Sequence, residues 1–293
     1  MRKILLAGTI SNNAKKFERD LIMFNELLSN KFEVEYYFVE SDSKDKTLAV
    51  LNKYKKLWNN FDFESKGVLA TEIPERVEQI RASRNGYVDY IKRNSTKKKW
   101  DFIFIADLDS MNSKLTLASI ECVLNSEENW DAVFPVQRNG YYDLYALRHP
   151  IWNPIDFQSE LIWHKTRLVE SFAGSKSIFK KFLLEVNLDK LRSNVIYSKM
   201  LLFKSSNVAI EVESAFGGLG IYKTELFLKH NYSRILRDVL QSEHVDFHYK
   251  LRQDGYRLII DPNLVNSNWN TYNINRFVIV RLLRRLKKYI LNF

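Results

Sequence analysis

The sequence predicts an α/β fold with a mixed, mostly parallel sheet flanked by helices, and three features predict it. Apolar runs recur at Lys3–Ala7, Phe32–Glu40, Phe102–Ala106 and Asp131–Val136. The first three are followed by a cluster rich in Ser, Asn, Asp or Glu and then by a segment of helical period, an alternation that requires crossover connections between parallel strands. The chain of 293 residues, 45% hydrophobic and 27% charged, can also bury a sizeable core.

The first helix spans Asn13–Leu28, with Phe17, Leu21, Phe24 and Leu28 on one face, and the second spans Leu48–Trp58. A third runs from Glu72 to Ile91 with Pro74 in its first turn. Further along, the pattern predicts a helix over Ser113–Leu124, strands over Tyr141–Arg148, Ile196–Phe203 and Val208–Val212, and a weakly amphipathic helix over Ser177–Leu191. Residues 149–165 carry Pro and Trp without periodicity and read as a long functional loop. A helix opens at Ser242 and closes at Gly255, followed by a last strand over Tyr256–Ile260 that ends at Asp261-Pro262.

The strand Phe102–Ala106 leads into Asp107-Leu108-Asp109. Alternation along an extended chain sends Asp107 and Asp109 to one side and Leu108 to the other. Two hard oxygen donors beyond the carboxyl end of a central strand suit Mg²⁺ or Mn²⁺ with a diphosphate. An Asp capping the next helix explains the same residues more plainly. After the second strand, Glu40-Ser41-Asp42-Ser43-Lys44-Asp45-Lys46-Thr47 holds more acids and hydroxyls than a cap needs. Glu40 and Asp42 are best placed to contact a nucleotide, while Ser43 or Asp45 can cap a helix. Neither turn has a Gly-rich phosphate loop.

On the third helix Arg84 falls in the middle of the apolar face and must meet an anion or a wall of acceptors, whether a carboxylate of the sheet, a phosphate or Asp107, while Arg81 at the edge of that face is a second candidate for cofactor contact. Phe216-Gly217-Gly218-Leu219-Gly220 forms a tight corner or a wall that another group can approach closely. In the Ser242 helix, Glu243 and His244 can point at the sheet, and His244 and His248 have the spacing of paired metal ligands.

The net charge of +10 is uneven: residues 276–293 carry +6 with no acid, leaving +4 for the rest. On a helical wheel Arg281, Arg284, Arg285 and Lys288 share an arc opposite Leu282, Leu286 and Ile290. That pattern suits an anionic membrane surface better than nucleic acid. Cys122 is the single cysteine, which fits a reducing compartment. No run is long enough to span a membrane, and the basic start reads as a strand, not a signal peptide. The expected organisation is a domain over 1–270 and a basic tail over 271–293, located at the cytoplasmic face of the cell membrane.

Taken in order, Glu40-x-x-Ser43-x-Asp45-x-Thr47, Arg81-x-x-Arg84-Asn85, Asp107-Leu108-Asp109, Tyr141-Tyr142-Asp143, Ala146-Leu147-Arg148, Phe216-Gly217-Gly218-Leu219 and Glu243-His244-Val245 form a series. It resembles the capsule-associated α-1,3-mannosyltransferases and related bacterial glycosyltransferases of the GT-A fold, from the first strand to about Pro262. The resemblance implies transfer of a sugar from a GDP- or UDP-sugar with Mn²⁺ or Mg²⁺, leaning toward retention. It makes Asp109 the main metal ligand and puts Asp107 at ribose or metal. Glu40, Asp42, Ser43 and Asp45 would lie at base and ribose, and Arg84 at phosphate or Asp107. Gly217, Gly218 and Glu243 would line the acceptor side, with His244 or His248 as an additional metal or diphosphate contact. If the reaction inverts, Glu243 is the base; a glycan or glycolipid is the expected acceptor. The competing readings are a sugar-phosphate nucleotidyltransferase, which needs a Gly-rich, Lys-bearing first turn, and a non-catalytic membrane or nucleic-acid binder using the tail.

Overall fold

The structure is a computed structural model that describes residues 1–173, 178–204, 208–235, 241–270, 272–277 and 279–281. Its eight strands are β1 (Lys3–Ile10), β2 (Glu33–Glu40), β3 (Phe61–Ser65), β4 (Phe102–Ala106), β5 (Ala132–Gln137), β6 (Ile210–Glu211), β7 (Leu219–Lys223) and β8 (Leu258–Ser267). They form one sheet in the order β3-β2-β1-β4-β7-β5-β8-β6. β3, β2, β1 and β4 pair in parallel, β7 runs antiparallel between β4 and β5, β8 is parallel to β5, and β6 closes the edge antiparallel. This is the mixed, mostly parallel α/β sheet flanked by helices that the sequence predicts.

Alternation along each strand divides the core. Leu5, Ala7, Tyr37, Val39, Ile103 and Ile105 face one apolar layer; Ile4, Leu6, Tyr36, Phe38 and Phe104 face the other. The first layer packs on α3 (Arg76–Lys98) and α8 (Glu243–Gln253), the second on α1 (Ala14–Leu28), α2 (Thr47–Leu57) and α4 (Leu117–Leu124). Gly8 allows β1 to meet β4 at this end of the sheet, since a Cβ there would lie 2.4 Å from the Ala106 carbonyl oxygen.

Several expectations are corrected. Tyr141–Arg148 is no strand: Asp143 accepts from Ala146 N, and Leu147 N donates to Asp143 O, so local bonds win over sheet pairing. Ile196–Phe203 contains only a 3₁₀ turn at Tyr197–Lys199. The loop over 149–165 gives way to α5 (Phe157–Ser171), whose first turn is capped by Asp156 accepting from Ser159 N. α6 (Ile178–Val195) follows it, and α7 (Glu225–Lys229) follows β7. α3 starts at Arg76, after Pro74, and extends to Lys98, while α4 starts only after the Thr116 capping box. β3 and β7, too short or too glycine-rich to stand out, were not anticipated. β8 continues through Pro262 to Ser267, because the register against β5 shifts there and no ladder donor is required of the proline.

The basic tail lies mostly outside the described residues. Arg281 leaves the expected solvent arc: it is buried, its guanidinium bonds Asp189 of α6 at 2.8 and 2.9 Å, and it covers the Tyr197 ring. None of the helices, among the described residues, is long and apolar enough to cross a membrane.

Candidate active site

A cleft of about 640 Å³ opens at the carboxyl end of the parallel strands. Its walls come from the β1–α1 turn (Ser11, Asn12), the turn after β2 (Asp42), α3 (Ser83, Arg84) and the chain beyond β4 (Asp107, Asp109). The two turns are tied together. Asn12 N donates to Ser43 Oγ at 3.0 Å, Asn12 Oδ1 accepts from Lys44 N at 2.8 Å, and Asn13 Nδ2 reaches Leu108 O at 2.7 Å.

The acidic second turn divides in two. Asp42 lines the cleft, its backbone at φ +59°, with Oδ1 accepting from Ala70 N. Glu40, Ser43 and Asp45 hold the turn instead. Glu40 is buried and accepts from Ser43 N and Ser65 Oγ. Asp45 accepts from Ala14 N and Thr47 N, the first amides of α1 and α2. Burial works against the Asp45 carboxylate, but those bonds and the Thr47 hydroxyl hold it below its ordinary range. Glu40, Ser43 and Asp45, expected at base and ribose, do not line the cleft, and their side chains bond backbone amides and the Ser65 and Thr47 hydroxyls.

Asp107 and Asp109 both line the cleft, yet they face different neighbours because β4 ends at Ala106 and Ser110 turns the chain at φ +85°. Asp107 keeps the strand alternation and lies 3.9 Å from Arg84 Nη2. Burial pushes its carboxyl up to about 7; Arg84 opposes the rise, and Asp109, Asp143 and Glu243 add to it. Asp109 is raised by burial too, opposed by Lys16 and reinforced by Asp20, both from α1. Its Oδ1 is buried with no hydrogen-bond partner. An orphaned carboxylate oxygen beside a second acid fits a hard divalent cation. Among the described residues no group of three or more His, Cys, Asp and Glu is placed to hold a metal. The donor set thus fits a cation that takes its remaining ligands from phosphate and water.

Arg84 and Arg81 are both 5% exposed and both reach α8. Arg84 Nε bonds Glu243 Oε1 at 2.7 Å, with the Phe216 and Tyr232 rings 5.2 and 5.8 Å away. Arg81, expected at the nucleotide, bonds Asp246 at 2.8 Å and Glu78 at 3.1 Å and does not line the cleft.

Gly217 and Gly218, at φ +67° and +88°, form the tight turn into β7. Gly218 O accepts from Asp107 N and Asn112 Nδ2, which fixes the glycine turn against the aspartate. Asp143, quoted in the sequence series without a role, accepts from Gly217 N and completes the acidic group. Burial raises its carboxyl, the Gly217 and Ala146 amides oppose, and Glu243 adds. Fully buried Asn112, Gln137 and Asn266 lock the same turn: Gln137 and Asn266 both donate to Gly217 O, and Asn266 donates to Asn112. No sequence signal marked these three amides, since single Asn and Gln residues carry no periodicity.

The two histidines expected as an additional metal or diphosphate contact differ in what they have free. His248 has both ring nitrogens engaged, with Ser214 Oγ and Tyr222 OH at 2.9 Å each, so it has none to give. His244 stacks on Phe216 with centroids 3.9 Å apart, and neither nitrogen has a partner; Nε2 lies 3.7 Å from Glu243 Oε1. Burial and Arg84 keep it neutral, well below its usual range.

No protein-family model and no curated protein sequence matches this chain. Among the solved structures similar in fold are two, PcManGT and TarS. One is the mannosyltransferase PcManGT from Pyrobaculum calidifontis in complex with GDP-Man and Mn²⁺, at TM-score 0.47 and 15% identity over 91% of this chain and 57% of that one. The other is residues 1–349 of S. aureus TarS, at TM-score 0.44 and 13% identity over 89% of this chain and 58% of that one. The chain thus spans less than two thirds of either, and neither likeness bears on function.

Proposed function

We propose that this chain is a glycosyltransferase that moves a sugar from a nucleoside-diphosphate sugar to a glycan or glycolipid acceptor, with Mn²⁺ or Mg²⁺ held at Asp107 and Asp109. The observation that carries the reading is the placement of these two raised-pKa carboxylates, one with an orphaned buried oxygen, in the cleft walled by the β1 and β2 turns. Asp42 and the polar β1–α1 turn are the nucleoside side. Arg84 presents a fixed positive charge toward the acids and thus toward a diphosphate leaving group. A bound divalent cation offsets charge on that leaving group.

Glu243 holds Arg84 through a buried ion pair, which supports a positioning role and retention of configuration. Gly217 and Gly218 belong to the acceptor side through their contact with Asp107 and Asp143. The basic segment 274–293 is assigned to an anionic membrane surface at the cytoplasmic face, with Arg281 anchoring it to α6.

The test is a thermal-shift panel of UDP-, GDP- and CMP-sugars with and without Mn²⁺. One nucleotide class is expected to raise the melting temperature only when metal is present. Absence of any metal-dependent stabilisation overturns the reading.

A further inference from the structure

We infer that Tyr142 and Tyr272 form an aromatic platform beside Asp107 that receives a sugar ring, either the transferred sugar or the acceptor sugar. The inference deepens the glycosyl-transfer reading and rests on it for the ligand class.

The two rings stack, with centroids 5.2 Å apart and 13° between planes. Tyr142 is the inner, partly buried ring, and Tyr272 is 55% exposed, so the pair leaves aromatic surface open to solvent. Here the exposure is built and held. Tyr142 N donates to Oε1 of fully buried Gln137. On the other side Asn273, also fully buried, donates to Gly140 O and Asn268 O and accepts from Asn270 N. The segment bearing Tyr272 is thereby pinned to the loop bearing Tyr142.

The platform sits at the acids. A Cβ on Gly218 would come 3.3 Å from the Tyr142 hydroxyl, and Gly218 O accepts from Asp107 N. The Tyr272 hydroxyl is pushed up by partial burial and then by Asp109, Asp107 and Asp143. Neither tyrosine lines the cleft that takes in the β1 and β2 turns, so the rings lie outside the nucleoside side, next to where a diphosphate would end. A pyranose matches such a place. Its C–H face meets the negative face of an aromatic ring, while its hydroxyls donate to carboxylates at the edge.

Saturation-transfer NMR with methyl gluco-, galacto- and mannopyranosides tests the platform directly. In the full chain, the C–H protons of one ring face should saturate for at least one hexoside. Tyr272→Ala should cut that signal by about threefold or more, the scale of one aromatic contact, and Tyr272→Trp should restore it. Metal-dependent thermal shifts then separate the two sources. If Tyr272→Ala weakens a nucleotide sugar but leaves the nucleoside diphosphate unchanged, the platform holds the transferred sugar. If both are unchanged while hexoside saturation is lost, it holds the acceptor. Saturation in the wild type that survives Tyr272→Ala, or no saturation at all, overturns the inference. So does an Ala variant that loses only pelleting with phosphatidylglycerol vesicles, which would make the rings a membrane contact. Tyr272-dependent saturation without any metal-dependent nucleotide-sugar shift would leave the platform standing and remove the transferase reading.

Discussion

The half of the sheet built from β3, β2, β1 and β4 and the half built from β7, β5, β8 and β6 serve the cleft acids by different means: the first lines the cleft and the second stands behind it. In the parallel half, the acids and the nearby polar chain sit in the turn directly after a strand, Asn12 after β1, Asp42 after β2, Asp107 and Asp109 after β4, and α3 adds Ser83 and Arg84. The mixed half supplies supports behind the cleft, from irregular chain and a helix start: Asp143 from a loop bonds Gly217 N, the Gly217-Gly218 turn holds Asp107 N, and Glu243 at the head of α8 holds Arg84. A parallel array gives a site at its carboxyl edge by repetition of one connection. The mixed half has no such repetition, and its side chains are brought in by long-range bonds to buried amides and arginines. α3 joins the halves, since Arg81 and Arg84 both reach acids of α8.

The largest expected effect isolates the parallel half's chemistry. Asp109→Asn should lower sugar transfer by roughly a hundredfold or more and abolish Mn²⁺-dependent stabilisation by the donor. The melting temperature of the unliganded protein should stay close to wild type or rise, because the orphaned carboxylate is removed. Retained transfer would dissociate the acids from the reaction.

The junction between halves is probed next, through its two arginines. Asp246→Ala leaves Arg81 buried with only Glu78, and chemical denaturation should show a loss of about 3 kcal/mol with donor affinity of the folded protein intact. Arg84→Lys should do the opposite, weakening donor binding more than folding, because a lysine keeps the charge but not the planar fork shared with Glu243.

A third prediction concerns the mixed half alone. Burial and then Arg84 depress His248 from 6.5 to about 3, so it is neutral in the folded protein. A depressed folded value means that its contribution to stability is present above 6.5 and lost as the pH falls from there toward about 3. His248→Gln should therefore show a shallower fall in denaturation midpoint over that window than the wild type. Parallel curves would show that the ring does not govern acid sensitivity.

The smallest effect belongs to the turn where the halves meet. Gly218→Ala places a Cβ 3.1 Å from Met111 Cβ at φ +88°, and should cost about 1–2 kcal/mol. Because the Gly218 carbonyl binds the Asp107 amide, donor affinity should weaken alongside stability, whereas Gly255→Ala, also at positive φ but with open space around it, should affect stability only.

By itself the sequence determined the α/β class, the parallel strands β1, β2 and β4 with helices α1 to α3, and the acids at the end of β4. Those features rest on local periodicity and on strand alternation, which neighbouring residues specify among themselves. It also marked Arg84 correctly, because a charge on an apolar helix face must find a partner wherever it packs. Only the tertiary structure decided which polar residues serve the cleft and which serve the fold. Asp42 and Asp45 look alike in sequence, yet Asp45 is consumed by the first amides of α1 and α2 while Asp42 lines the opening. Arg81 and Arg84 likewise look alike in sequence, yet Arg84 meets Glu243 and lines the cleft while Arg81 meets Asp246 and Glu78 outside it. Asp107 and Asp109 remain at the centre, but the end of β4 at Ala106 turns them toward different helices, one to Arg84 and the other to Lys16 and Asp20. A carboxylate's role follows from the donors and charges around it, and those come from segments far away in the chain.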